Sequence, residues 1–121
     1  KIKLDKIILL CPVNNVFQIF ETFFNYTRLK EKTRNLMINY FIKKTGIMIN
    51  SELSSEKLVK QIKAKILLIH DESDTQLSIL ESKKIKKNIT GGTFYFTKGL
   101  GHSRLLRDGK VVDKIISFLK N

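Results

Sequence analysis

Three short apolar runs along the chain predict β-strands, at residues 6–11, 65–70 and 93–97. The first two consist almost entirely of Ile and Leu, which is typical of strands buried on both faces of a parallel sheet. Helical patterns separate the three runs, and this alternation favours right-handed crossovers between parallel strands. The predicted fold class is therefore α/β, with about three parallel strands and flanking helices.

A long helical region with no strand signal separates the first two strands, at residues 13–62. In its first part, apolar and aromatic side chains recur every three or four residues, as on one face of a helix. Its second part, residues 31–45, ends at Gly46, a residue type that commonly closes a helix in the left-handed conformation. Two more helices are predicted further on, at residues 77–88 and 111–119. The apolar face of the last one would comprise Val111, Val112, Ile115, Ile116 and Leu119.

Length and composition limit the classes of protein to which the chain can belong. The 121 residues, 42% of them hydrophobic, suit one small domain with a packed core. No apolar run approaches the roughly 20 residues that cross a bilayer, so no membrane span is expected. Cys11 is the only cysteine, which excludes an internal disulfide and fits a reducing, cytoplasmic location. The chain begins with Lys1 and enters a strand almost directly, which predicts a piece of a longer protein.

The net charge of +12 raises the question of nucleic acid as a partner. The basic residues are mostly lysines spread along the chain, with only four arginines and no recognisable nucleic-acid-binding motif. The one dense cluster, Lys83, Lys84, Lys86 and Lys87, is expected to be a solvated helix face. We therefore expect no nucleic-acid partner. A non-catalytic basic module that binds an acidic partner remains the alternative to an enzyme.

Two motifs follow the second and third strands. The second strand runs directly into Asp71-Glu72-Ser73-Asp74, and the third is followed by Gly99-Leu100-Gly101-His102. Open α/β sheets place their active sites at the carboxyl ends of the strands, where both motifs fall. A carboxylate that orients a histidine, which then acts as a general base, forms two-thirds of a hydrolytic triad. The third member, a nucleophile on a tight strand-to-helix turn, is missing from these residues.

Residues 63–121 resemble the C-terminal portion of serine hydrolases with the α/β-hydrolase fold. In that family an acidic D-x-x-D loop after a strand supplies the triad acid, and a later Gly-x-Gly-His segment supplies the base. The resemblance assigns these catalytic roles to Asp74 and His102. It implies an esterase- or lipase-like enzyme that hydrolyses carboxylic esters, with a small ester or acyl substrate and no cofactor.

The same resemblance covers the first half of the chain only by position. Residues 6–12 would be the preceding strand, and residues 13–62 would be a helical lid inserted after it. The family's Gly-x-Ser-x-Gly elbow lies on an earlier strand, before Lys1. The chain would then be one incomplete domain, residues 1–121, inactive alone. Its free first strand would pair with the missing N-terminal half or with a second copy.

Other chemistry at the same loops is less well supported by the sequence. Asp71, Glu72 and Asp74 could hold magnesium, but phosphotransfer enzymes of that kind use Asp-x-Asp and a glycine-rich phosphate loop is missing. No metal is therefore expected, and Asp71 and Glu72 are interpreted as solvated loop charges. His70, at the end of an apolar strand, is interpreted as a hydrogen-bonded structural histidine.

For three further groups of residues, a role in catalysis or binding is compared with simple packing. Cys11 ends the first strand on the catalytic side, where a Cys–His nucleophile pair is the alternative. It is expected to be a buried, inert thiol, since its neighbours Leu10 and Pro12 are too large for a nucleophile elbow. Neither Ser73 nor Ser103 lies on such an elbow. The aromatic residues of the first helix either line an acyl pocket or pack in a core, and both interpretations stay open. They are Phe17, Phe20, Phe23 and Phe24.

Overall fold

The computed structural model describes residues 4–48 and 54–121. Its strands are β1 (Lys6–Leu10), β2 (Lys65–Asp71) and β3 (Thr93–Thr97), and its helices are α1 (Val16–Thr27), α2 (Glu31–Thr45), α3 (Ser55–Leu58), α4 (Ile79–Lys86) and α5 (Gly109–Lys120). Short 3₁₀ turns cover Val59–Gln61 and Leu105–Arg107. None of the helices in the described ranges is both long and apolar enough to cross a membrane.

The three strands form one parallel sheet in the order β1-β2-β3. Leu9 is in register with Leu68, and Leu68 with Phe94, so the three strands end at one common edge. The α/β class with a parallel sheet and flanking helices is therefore confirmed. Part of the long helical region predicted from the sequence, residues 49–53, lies outside the described residues.

The chain divides into two compact units. One comprises residues 4–14 and 56–121 and contains the sheet, and the other comprises the described part of residues 15–55 and contains α1 and α2. In the sheet unit, β2 is buried on both faces. Leu67 and Ile69 pack with Val111 of α5 on one face, and Ile66 and Leu68 pack with Ile85 of α4 on the other.

Helix α5 departs in part from its predicted apolar face. Its N-cap is Asp108, whose side chain accepts a hydrogen bond from the Val111 N–H. Val111 is buried and Ile115 is partly buried against the core, but Ile116 and Leu119 are exposed. The five apolar positions predicted for this face cannot all contact the sheet. A helix turns by about 100° per residue, so adjacent residues such as Ile115 and Ile116 point in different directions.

The lysine cluster of α4 is exposed, as expected of a solvated helix face. Lys84 pairs with Glu81 at 2.9 Å. Lys86 lies over the rings of Phe94 and Phe96, 4.8 and 5.4 Å from their centroids. Two of the four lysines, Lys84 and Lys86, therefore interact with other side chains of this unit.

The helical unit is held by aromatic contacts around Phe24, which is fully buried. The Phe20 ring lies 5.7 Å from that of Phe24 and 5.3 Å from that of Phe41. Arg34 places its guanidinium 5.5 Å from the Phe24 ring centroid and donates a hydrogen bond to the Leu29 carbonyl. Helix α2 ends at Gly46, as predicted, with a φ of 69°. The proposed lid role of this region stays a prediction.

Candidate active site

Chemistry-bearing residues follow each of the three strands at the carboxyl edge of the sheet. Cys11 follows β1, Asp71 is the last residue of β2, and Asp74 lies three residues later. His102 is on the loop after β3. Because the strands are parallel and in register, their ends bring these loops together. We call this region the strand-end site, defined by Cys11, Asp71, Asp74 and His102.

The two residues predicted to form a catalytic pair are in direct contact. His102 Nδ1 lies 2.8 Å from Asp74 Oδ2. The carboxylate can only accept, so Nδ1 carries the proton and donates a hydrogen bond to Asp74. The Asp74 side chain is fully buried, whereas the His102 side chain is one-third exposed. Within residues 4–14 and 56–121, Nε2 of His102 has no hydrogen-bond partner.

Asp74 is held as a carboxylate by donors on both of its oxygens. Oδ1 accepts hydrogen bonds from the Gln76 and Leu77 N–H groups at 2.8 and 2.9 Å. Burial alone would raise the pKa of Asp74, but the hydrogen bonds from Leu77, His102, Gln76 and Cys11 outweigh it and lower the pKa below its ordinary value. The group is therefore ionised at neutral pH and suited to orienting an imidazole.

Asp71 is fully buried, so its interpretation as a solvated loop charge is wrong. Its Oδ1 accepts from the Ser73 and Gly101 N–H groups, both at 2.9 Å. Its Oδ2 accepts from Thr97 Oγ1 at 2.7 Å and from the Leu100 N–H at 3.0 Å. Glu72, by contrast, is exposed, as expected. The sequence pattern could not separate these two adjacent acidic residues, because both follow an apolar strand.

These four hydrogen bonds make Asp71 the anchor of the His102 loop. Burial alone would raise the pKa of Asp71, but the donors on Thr97, Gly101, Leu100 and Ser73 lower it to about 2. Two of the donors, Leu100 and Gly101, immediately precede His102. Gly101 has a φ of 67°, a conformation that residues with a side chain rarely adopt. The buried carboxylate therefore fixes the main chain that carries the histidine.

His70 is a buried structural histidine, as predicted. Its Nε2 donates to the Leu77 carbonyl at 3.0 Å, which leaves Nδ1 to accept the hydroxyl proton of Ser82 at 2.6 Å. Nε2 also lies 3.4 Å from Asp74 Oδ2. His70 therefore ties the loop of Asp74 to α4, through the buried Ser82.

Cys11 is buried and lies at the catalytic side of the sheet, as predicted, and it belongs to the strand-end site. Its φ of 42° is unusual for a residue other than glycine, and its N–H donates to the Ile69 carbonyl at 2.8 Å. The thiol hydrogen-bonds to Asp74. A signal was present in the sequence: Cys11 ends β1, so a parallel sheet had to place it beside the ends of β2 and β3.

The surroundings of Cys11 disfavour a nucleophilic thiolate. Burial, above all, raises the pKa of the thiol to about 12, and the hydrogen bond to Asp74 and the negative charges of Asp74 and Asp71 act in the same direction. A reactive cysteine needs a lowered pKa and partial exposure. The side chain is only 6% exposed. The thiol is therefore expected to be protonated at neutral pH.

The remaining residues singled out from the sequence lie at the margin of the site or in the other unit. Ser73 Oγ accepts a hydrogen bond from the Gly99 N–H at 3.1 Å and so helps hold the His102 loop. Ser103 is exposed. In α1, Phe24 is buried whereas Phe17 and Phe23 are exposed, so packing accounts for only part of the aromatic run.

Comparisons with known proteins do not identify the chain. No protein-family model matches it, and no curated protein is similar enough to count as a relative. The function is therefore argued from the strand-end site itself.

Proposed function

We propose that this chain is the C-terminal segment of a serine hydrolase with the α/β-hydrolase fold, and that the complete enzyme hydrolyses carboxylic esters. The observation that carries this proposal is the buried carboxylate of Asp74 bonded to Nδ1 of His102 at 2.8 Å, with Nε2 unpaired within the sheet unit. In such an enzyme Asp74 is the triad acid and His102 is the base.

The tautomer of His102 is the one that the reaction needs. Because Nδ1 donates to Asp74, the lone pair of Nε2 is available to take the proton of a serine hydroxyl as its oxygen attacks the ester carbonyl. The imidazolium then returns that proton to the leaving alcohol. The ionised Asp74 stabilises the imidazolium while it exists, and a second cycle with water releases the acid.

The serine lies outside this chain under this proposal. Neither Ser73 nor Ser103 follows a strand on a tight turn into a helix, as a nucleophile elbow requires. Of the described strands, β1 pairs only with β2, so its outer edge is open to a strand of the nucleophile-bearing part. Residues 13–62 are then the lid insertion of the enzyme, and their exposed aromatic rings suit an acyl chain.

The decisive test begins with the coding sequence upstream of Lys1. We expect a Gly-x-Ser-x-Gly segment there, between a strand pattern and a helix pattern. The complete protein should then react with a fluorophosphonate probe for activated serines. His102→Ala should abolish this labelling, whereas Glu72→Gln, an exposed neighbour of the site, should leave it intact.

Two results would overturn the proposal. One is an upstream region without an elbow, and the other is probe labelling that persists in His102→Ala. The isolated chain should show no ester hydrolysis and no labelling, since it lacks the nucleophile. Hydrolysis by the isolated chain would likewise contradict the assignment of the serine to another segment.

A further inference from the structure

Three side chains of different chemistry converge at the strand-end site. A ligand atom of Cys11, one of Asp74 and one of His102 all lie within 4.8 Å of one another. Each follows a different strand, so the sheet register holds the three in place. In a tetrahedral zinc site with bonds of 2.0 to 2.3 Å, ligand atoms are about 3.3 to 3.8 Å apart. Movements of about 1 Å would bring the three side chains to those separations.

The donor set favours one class of cation. A thiolate, an imidazole and a carboxylate together suit Zn²⁺ or a similar thiophilic ion, whereas Mg²⁺ and Ca²⁺ prefer oxygen ligands alone. Three protein ligands leave a fourth position for water. The one-third exposure of the His102 side chain gives solvent and a cation access to the cluster.

The surroundings of the cluster also resemble the supporting shell of a metal site. Asp74 Oδ1 is fixed by the Gln76 and Leu77 N–H groups, which leaves Oδ2 facing His102. Nε2 of His70 lies 3.4 Å from the same Oδ2 and donates to the Leu77 carbonyl. Such outer hydrogen bonds orient ligating carboxylates and strengthen metal binding.

We propose that Cys11, Asp74 and His102 bind a thiophilic divalent cation, with Zn²⁺ the best fit. The cation would bond to Sγ, Nδ1 and a carboxylate oxygen. The thiol proton would be released to solvent, and the Nδ1 proton would move to Nε2, so that the imidazole stays neutral. The binding itself does not depend on the proposed hydrolase. One consequence does rest on that function: the cation would occupy the atoms by which Asp74 orients His102, so bound metal would inhibit ester hydrolysis.

The test is metal binding by the chain itself, purified with chelator and a non-thiol reductant and then freed of chelator. Co²⁺ serves as the spectroscopic probe, because a thiolate bound to Co²⁺ gives a near-ultraviolet charge-transfer band and tetrahedral geometry gives intense visible bands. Competition with a chromogenic chelator measures Zn²⁺ affinity. We expect one ion per chain and the thiolate band.

Three variants sharpen the test. Cys11→Ser and His102→Ala should each weaken Zn²⁺ binding by at least about tenfold, and Cys11→Ser should remove the charge-transfer band. Asp113→Asn, at an exposed carboxylate of α5, should change neither. Absence of the thiolate band in the unmodified chain would overturn the proposal without recourse to any variant. Equal Zn²⁺ affinity in a folded Cys11→Ser chain would do the same, whatever the outcome of the serine-probe experiment.

Discussion

The strand-end site and the helical unit differ in how far their side chains are buried and hydrogen-bonded. At the strand-end site and at His70 beside it, the side chains of Asp71, Asp74 and His70 are buried, and each has several hydrogen-bond partners in fixed directions. In the helical unit, α1 buries only Phe24 and α2 buries no residue. Tyr26, Leu36 and Tyr40 are 88, 61 and 64% exposed.

The two regions therefore differ in how tightly their side-chain geometry is fixed. Directional hydrogen bonds within the sheet unit fix the catalytic-type pair to a single geometry, which is what acid–base chemistry requires. The helical unit instead offers apolar and aromatic surface, which is suited to a variable partner or ligand. We therefore expect substitutions at the strand-end site to be costly and specific, and those on the exposed helical surface to be mild.

Asp74→Asn should have the largest effect. In the proposed hydrolase we expect kcat to fall by about 10⁴-fold. The amide oxygen would take the position that accepts from the Gln76 and Leu77 N–H groups, so the amide NH₂ would face His102 and Nδ1 would have to accept instead of donate. Steady-state kinetics with a chromogenic ester measures this, and nitrogen NMR of the isolated chain reports the tautomer directly. Glu72→Gln, on the same loop but exposed, is the matched control. A loss below tenfold would show that the pair does not work as a unit.

The Cys11 thiol should be strongly protected in the folded chain. At neutral pH we expect it to react with an aromatic disulfide reagent about a thousandfold more slowly than in the urea-unfolded chain, because its pKa is raised to about 12. The unfolded chain gives the reference rate. Similar rates in the two states would mean that the thiol is accessible and ionised in the folded chain. Its interpretation as a nucleophile would then have to be reconsidered.

Asp71→Ala should reduce the free energy of unfolding by about 3 to 5 kcal/mol, since it leaves three N–H groups and one hydroxyl without their acceptor in a buried site. Urea denaturation followed by circular dichroism measures the change. Glu72→Ala, at the exposed neighbouring carboxylate, should stay within about 0.5 kcal/mol. Equal effects at the two positions would contradict the anchoring role of Asp71.

The lowered pKa of Asp71 also predicts how stability depends on pH. The folded value is about 2 against an ordinary value of 3.8, so the carboxylate stabilises the fold above pH 4 and this contribution disappears as the pH falls towards 2. The shift corresponds to about 2 kcal/mol. Asp71→Asn should remove this component of the acid dependence, measured by urea denaturation at several pH values. An unchanged acid slope in Asp71→Asn would assign the effect to other carboxylates, such as Asp74.

The sequence predicted the elements that depend on local pattern. The three strands and the end of α2 at Gly46 follow from apolar runs and from a glycine that tolerates a φ of 69°. The meeting of Asp74 and His102 was expected from motif order, because parallel strands end at one edge. These features need only short-range patterns or sheet topology.

Features that depend on side-chain direction were not predicted. Asp71 and Glu72 are adjacent and acidic, yet one is buried and the other exposed, since Asp71 is the last residue of the buried strand β2 and Glu72 lies in the turn after it. Cys11 has a φ of 42°, and no residue type in the sequence signals that conformation. The apolar stripe of α5 splits between core and solvent for a similar reason: the sheet covers only one side of the helix.

The smallest effect is expected in the helical unit, and it tests whether the exposed surface of that unit contributes little to stability. Tyr26→Ser should change the free energy of unfolding by no more than about 0.5 kcal/mol, because the ring is 88% exposed. Phe24→Ala, two residues earlier in the same helix, should cost about 3 to 5 kcal/mol, because that ring is fully buried. Urea denaturation of both variants measures the difference. A cost at Tyr26 close to that at Phe24 would mean that the exposed aromatic surface is covered in solution, and the helical unit would then be as closely specified as the strand-end site.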